Sequence, residues 1–316
     1  MWSANQTKLK EFILNGLSNN EDIKPLLFAF FFIVYALTLF GNITIIMLVW
    51  SNSSLHKPMY FFLGNLSFVE IGYTSSTVPK MLSGFLSKTN SISFRGCFVQ
   101  LFFFFIFGIV DCFLLTVMGY DRYLAICQPL HYHMLMCKRV CFRLVSICWA
   151  IGFFSTVVPI ILVSQQPFCD NKINHFLCDT GPLLALSCVS NFTTQMTILV
   201  LTSLVLIVPF CFICVSYVFI TRTILKIPSA SGRYKAFSTC ASHISVVTMF
   251  FGCAIYIYVR PTGNHPFLQD KLMAVFYNVL TPLFNPIIYT LRNKEFIKAV
   301  KKNHEVLIQW KVWYSG

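Results

Sequence analysis

Met118-Gly119-Tyr120-Asp121-Arg122-Tyr123-Leu124-Ala125-Ile126-Cys127 follows a long apolar run and opens into a basic segment that contains Pro129. The stretch reads as the cytoplasmic end of a membrane helix. An adjacent acid and base at such a boundary can pair while the helix is idle and separate when a partner offers the arginine a better contact. That is the behaviour of a switch, not of a catalytic dyad. Counting back from Arg122 by fours and threes gives Met118, Leu115, Asp111, Gly108 and Phe104, one face of a helix at 3.6 residues per turn. The arginine, a mid-helix carboxylate and an aromatic far end therefore share one stripe.

Composition sets the class. In 316 residues, 56% are hydrophobic, 16% aromatic and only 11% charged, which is too apolar for a soluble domain. Uncharged runs extend over Pro25–Trp50, Leu144–Val163, Phe192–Thr221 and Leu272–Leu291, each long enough to cross the hydrocarbon at about 1.5 Å per residue. Three more segments carry isolated ionisable groups: Met59–Leu86 with Glu70 and Lys80, Gly96–Tyr120 with Asp111, and Ala236–Val259 with His243. The expected fold is an all-α bundle of seven transmembrane helices. Its parts are an N-terminal tail over 1–24, the helices over 25–291, and a C-terminal tail over 292–316 in which Lys298–Lys302 suit a short amphipathic helix.

With the N-terminus outside, 15 of the 24 lysines and arginines fall inside and 9 outside, so the expected orientation is N-out and C-in. The net charge of +13 then suits anionic membrane lipid at the inner leaflet and an acidic cytosolic partner, and argues against nucleic acid. Met1–Lys24 is polar and lacks a hydrophobic region followed by a cleavage site, so the first span is expected to act as its own targeting signal. Asn5-Gln6-Thr7 is an outside glycosylation sequon. Asn42, Asn52 and Asn65 also head sequons, but in the membrane or near the cytosol; Asn191 lies outside, close to the fifth helix. Of 13 cysteines, Cys97, Cys169, Cys178 and Cys188 fall outside, where oxidation is permitted and three pairings are open. His175 with these cysteines forms an alternative metal site, against which the oxidising compartment argues.

Glu70 lies 12 residues past Pro58 and Asp111 lies 11 before Arg122, about 18 and 17 Å from the same surface. Two carboxylates at one depth in hydrocarbon must share a proton, hold a cation such as sodium, or line a wet cavity. Asn42, following Gly41, must find a partner on another helix.

Four runs carry a resemblance: Leu55-His56-Lys57-Pro58-Met59-Tyr60-Phe61-Phe62-Leu63, the Asp121-Arg122-Tyr123 stretch, Lys235-Ala236-Phe237-Ser238-Thr239-Cys240-Ala241-Ser242-His243, and Pro282-Leu283-Phe284-Asn285-Pro286-Ile287-Ile288-Tyr289 with Leu291-Arg292-Asn293-Lys294-Glu295. In this order they resemble the odorant receptors, a branch of the rhodopsin-like G-protein-coupled receptors, from Asn5 to about Lys302. The resemblance implies a plasma-membrane receptor, not an enzyme, for a small-molecule odorant, coupled to the stimulatory olfactory G protein. It implies disulfides Cys97–Cys178 and Cys169–Cys188, and a sodium-binding acid at Glu70. In the family that position is usually Asp and the Asp111 position tends to be Glu, so the two acids are exchanged here. The expected switch residues are Asp121, Arg122, Tyr123, Tyr217, His243 and Tyr289, and the polar core is Asn42, Glu70, Asp111 and Asn285. Phe104, Phe105, Gly108, Ile109, Thr202, Val205, Phe251, Ile255, Tyr258 and Asn278 are the expected ligand contacts. They include no acid or base apart from the weakly acidic tyrosine, although Arg260 lies half a turn above Tyr258. A transporter would show repeat symmetry or a continuous polar pathway and a membrane enzyme a catalytic motif. The sequence shows neither.

Overall fold

The computed structural model describes residues 9–18, 20–189, 191–259, 267–291 and 295–301. Asn5, Arg260 and Lys302 lie outside them, as do residues 292–294. The elements run β1 (Glu11–Leu14), α1 (Lys24–Ser51), α2 (Pro58–Leu86), β2 (Ser91–Ser93), α3 (Phe94–Cys127), α4 (Tyr132–Leu135), α5 (Lys138–Ser164), β3 (Lys172–Ile173), α6 (Thr180–Leu184), α7 (Phe192–Leu225), α8 (Ala230–Tyr258), α9 (Phe267–Val275) and α10 (Thr281–Leu291). A π-turn over Phe276–Leu280 joins α9 to α10 into one seventh helix. Among the described residues six helices are long and apolar enough to cross a membrane. The other long helix, α2, has 29 residues, and Glu70, Lys80 and the run Thr74-Ser75-Ser76-Thr77 make it more polar.

Helices outrun the apolar segments that announce them. α3 continues two turns past Tyr120, and α5 and α8 each begin six residues before their apolar segments. Lysine and arginine are good helix formers, so hydropathy marks the hydrocarbon and not the helix end. The basic linker expected over Arg222–Lys235 shrinks to four residues between α7 and α8. α2 starts at Pro58 in its first turn, as expected. Side chains cap other starts: Ser93 Oγ accepts from Gly96 N at 3.0 Å and Asn191 Oδ1 from Thr194 N at 3.1 Å. Where α3 crosses α5, only glycine fits at position 152. A Cβ there would lie 2.6 Å from Val110 Cγ2 and 3.2 Å from the Ile106 carbonyl oxygen.

The tail that reads as polar sequence contributes a strand. β1 is the centre of a sheet ordered β2-β1-β3, antiparallel to β2 with Phe12 opposite Ile92 and parallel to β3 with Ile13 opposite Lys172. Its alternation turns Phe12 and Leu14 inward, 0% and 2% exposed, onto a small core with Phe94 and Phe168. Disulfides Cys97–Cys178 and Cys169–Cys188 hold the loop before α7 beside this sheet. Lys271 Nζ donates to the carbonyls of Asn15 and Gly16 at 3.1 and 3.0 Å, tying the tail to α9.

His175 sits inside this cap, stacked on Phe176 with centroids 4.6 Å apart, its Nδ1 accepting from Leu177 N at 3.3 Å. Burial, and then the Lys271 ammonium, push its pKa down to about 3 from an ordinary value of about 6.5. The fold therefore holds the neutral ring. That contribution is complete above about pH 6.5 and is lost as pH falls towards the folded value, reaching about 2 kcal/mol near pH 5. Asp179 acts in the opposite sense, since burial raises its carboxyl and protonation eases it. His175→Asn, which keeps an acceptor for Leu177, should remove the acid-induced drop in unfolding temperature measured in detergent between about pH 7 and pH 5. An unchanged pH profile in that variant contradicts the assignment.

Candidate functional site

Below the cap, α3, α5, α7, α8 and the π-turn enclose a cavity of about 50 Å³. Phe104, Phe105, Gly108 and Ile109 of α3, Thr202 and Val205 of α7 and Tyr258 of α8 line it. Phe251, Ile255 and Asn278, also expected there, do not. Phe250, Ala254 and Tyr258, spaced by four, form the α8 wall. One residue on is a rotation of about 100°, which turns Phe251 into full burial against Phe210, centroids 5.5 Å apart. Asn278 is buried behind the wall, its Oδ1 accepting from Thr77 Oγ1 at 3.2 Å. The sequence reading missed the α5 wall of Ser155, Thr156 and Pro159, and Tyr277 beyond Tyr258.

The cavity's two tyrosines are already engaged. Tyr258 OH donates to Asp179 Oδ2 at 2.8 Å and meets Tyr277 OH at 3.2 Å. Asp179 is delivered by its neighbour Cys178, whose disulfide ends at α3, and whose backbone N–H donates to Gln100 Oε1 at 3.0 Å. A carboxylate thus stands one hydroxyl behind the ligand space, a residue legible in the sequence only as the companion of that cysteine.

Deeper along the α3 stripe lies the polar core. Pro286 has no N–H for the carbonyl of Pro282 four residues earlier, and Asn42 Nδ2 takes that carbonyl at 3.3 Å. Asn285 donates to Glu70 Oε1. Glu70 and Asp111 are 0% and 1% exposed and lie within electrostatic reach of each other. Among the described residues Glu70 Oε2, Asp111 Oδ1, Asn285 Oδ1 and Asn42 Oδ1 are buried without a hydrogen-bond partner. All four are acceptors, so the set suits a cation, a shared proton or ordered water.

At the Arg122 end the expected acid–base pair is replaced. Asp121 accepts from Tyr132 OH of α4 at 2.8 Å, and Arg122 donates to the Met59 sulfur of α2. Among the described residues no Asp121–Arg122 ion pair forms; the ion pairs are Lys24–Glu21 and Lys57–Glu295. Adjacent helical residues point about 100° apart, so each finds a partner on a different neighbour. His243 bridges three helices: Nε2 is 2.9 Å from the Leu115 carbonyl and Nδ1 2.8 Å from Tyr217 OH. A carbonyl only accepts, so Nε2 carries the proton and Nδ1 accepts from the tyrosine. Tyr289 is buried, and among the described residues its hydroxyl has no partner. Tyr123 packs beside Phe219, centroids 6.0 Å apart.

Removing either end of the Tyr258–Asp179 bond leaves a buried group with one partner fewer. Tyr258→Phe and Asp179→Asn should each lower stability by about 1.5–3 kcal/mol, and the double variant by much less than their sum. Thermal unfolding of the four proteins in detergent checks this, and strict additivity would show that the bond carries nothing.

A family model described as olfactory receptor matches residues 31–307. Human olfactory receptor 10R2 is 50% identical over 301 residues, which cover 95% of this chain and 90% of that one. Human olfactory receptor 11H4 is 50% identical over 292 residues, 92% and 90% of the two chains, and mouse olfactory receptor 5AP2 is 49% identical over 301 residues, 95% of each. With a bundle of this kind and a cavity under a disulfide-bonded cap, the chain belongs to the olfactory receptor family, as a multi-pass plasma-membrane G-protein-coupled receptor for odorants and not an enzyme.

Proposed function

We propose that this receptor, with its N-terminus outside, binds a small neutral volatile in the cavity beneath the cap and activates the stimulatory olfactory G protein, raising cAMP. The observation that carries the ligand's neutrality is the cavity wall. Apart from tyrosine and cysteine, its lining holds no ionisable side chain, so a charged ligand would lose hydration without gaining a counter-ion, a penalty of several kcal/mol.

The wall also supports a route for the signal. Phe250, Ala254 and Tyr258 lie on the same helix as His243, about two, three and four turns further along, and His243 holds α8 to α3 and α7. A ligand that bears on α8 shifts the bundle by its differential affinity for the two arrangements. Tilting α8 breaks the bridge, frees Arg122 from Met59, and lets Tyr217 and Tyr289 turn inward, so that Arg122 can receive the C-terminal helix of the G protein. Sodium fits the resting arrangement, because Glu70, Asp111 and Asn285 supply oxygens that lack donors; its charge would offset the two acids.

Arg122→Ala should abolish the cAMP response to any agonist while surface expression, measured by antibody labelling, stays near normal; full signalling by that variant contradicts the switch. Glu70→Gln and Asp111→Asn should each shift basal activity and its dependence on sodium. If basal cAMP, agonist potency and sodium sensitivity all stay as in the wild type, the acids do not form a common site.

A further inference from the structure

Hydrogen-bonding groups on the cavity wall divide into those already occupied and those still free. Thr156 Oγ1 donates to the Gly152 carbonyl at 2.7 Å, Cys112 Sγ to the Val205 carbonyl at 3.3 Å, and Tyr258 OH to Asp179. Ser155 of α5 and Thr202 of α7 line the same cavity, and among the described residues neither hydroxyl has a partner. Other helical hydroxyls nearby, on Ser146, Thr156 and Thr197, bond back to the carbonyl four residues earlier, so the freedom of Ser155 and Thr202 is not what a helix imposes. The Ser155 carbonyl lies four residues before Pro159, so the N–H that would ordinarily take it in a helix is missing.

We propose that Ser155 and Thr202 are the polar anchor of the ligand cavity and that they select an alcohol. The inference rests on the cavity being the odorant site. A ligand hydroxyl donates to Ser155, through Oγ or the carbonyl that Pro159 leaves open, and accepts from Thr202. A ketone or ester can only accept, and leaves the Ser155 carbonyl unanswered. An alkane answers neither group, and an ammonium or carboxylate meets no counter-ion. Tyr258, the most conspicuous hydroxyl on the wall, is a structural strut to the cap and not the anchor.

The test uses the full chain in cells with a G-protein activation readout and a panel of matched straight-chain and cyclic alcohols, ketones, amines, carboxylates and parent hydrocarbons. Alcohols should rank first. For the best alcohol, Ser155→Ala and Thr202→Val should each weaken potency about five- to tenfold, equivalent to roughly 1 kcal/mol, and the double variant should erase the advantage of the alcohol over its hydrocarbon. Ser155→Thr, which keeps the hydroxyl, should retain it, as should Tyr258→Phe. Surface labelling normalises each response for expression. A panel without an alcohol agonist, ketones that outrank their alcohols, or an alcohol advantage that survives the double variant overturns the proposal. Val205→Trp, which fills the cavity, separates the two levels. If it abolishes the response while the double variant keeps its preference, the site stands and the anchor falls; if it leaves the response intact, the site itself is elsewhere.

Discussion

Lipid offers no hydrogen bonds in the middle of a membrane, so a polar group placed there has to be answered by another helix or by a bound ion or water. Lipid tails are as apolar as leucine side chains, and burial alone cannot tell one helix neighbour from another in a membrane. Polar pairs can. Pro286 leaves the Pro282 carbonyl open, Asn42 closes it, and α1 is thereby fixed against the seventh helix. Asn285 reaches Glu70, which fixes the seventh helix against α2. Gln100 donates to the Ser76 carbonyl at 3.2 Å while accepting from Cys178, holding α2, α3 and the loop before α7 in one register. The apolar side chains then fill a frame that these few bonds have already chosen.

The two ends of that frame are built for different tasks. At the cap, two disulfides, a three-stranded sheet, the Lys271 contacts with Asn15 and Gly16 and the Asp179–Tyr258 bond are all long-range constraints. They tie the cavity roof to α3, to α8 and to the seventh helix. The Arg122 end has the hydrogen bonds of His243 and of Asp121 with Tyr132, a thioether contact and a close glycine approach. A Cβ on Gly119 would meet His243 Cε1 at 3.4 Å, so α3 and α8 pack tightly here without a covalent tie. A π-turn and Pro286 give the seventh helix its own points of give.

Sequence periodicity reached the elements and stopped short of the contacts. Seven spans, the shared α3 stripe and the common depth of Glu70 and Asp111 follow from spacing alone, because helical rise and pitch are fixed. What spacing omits is rotation about each axis. The shift from Phe251 to Phe250 on the cavity wall is a single residue, set by how α8 packs on Phe210, and no pattern within α8 encodes it. The strand over Glu11–Leu14 was hidden for another reason: four residues alternate too briefly to stand out, and their partners lie far along the chain in β2 and β3. Asp121 and Arg122 show the limit most directly. Neighbours in sequence, they diverge on the helix and are claimed by Tyr132 and Met59, residues that only the packed loops and helices bring near.

That divergence bears on the energetics of switching. A buried ion pair broken by separating its members leaves uncompensated charge at a cost of about 3–5 kcal/mol, whereas the two hydrogen bonds of His243 contribute about 1 kcal/mol each. Arg122 on a thioether, a weak acceptor, adds little to the resting state. An odorant of roughly ten heavy atoms gains at most about 0.3–1.5 kcal/mol per atom on binding, and only the part that differs between the two states can drive the change. A ligand of that size has more to set against the two hydrogen bonds of His243 than against an ion pair. Asp121 and Arg122 thus hold separate partners in Tyr132 and Met59, while His243 ties α8 to α3 and α7 through two hydrogen bonds.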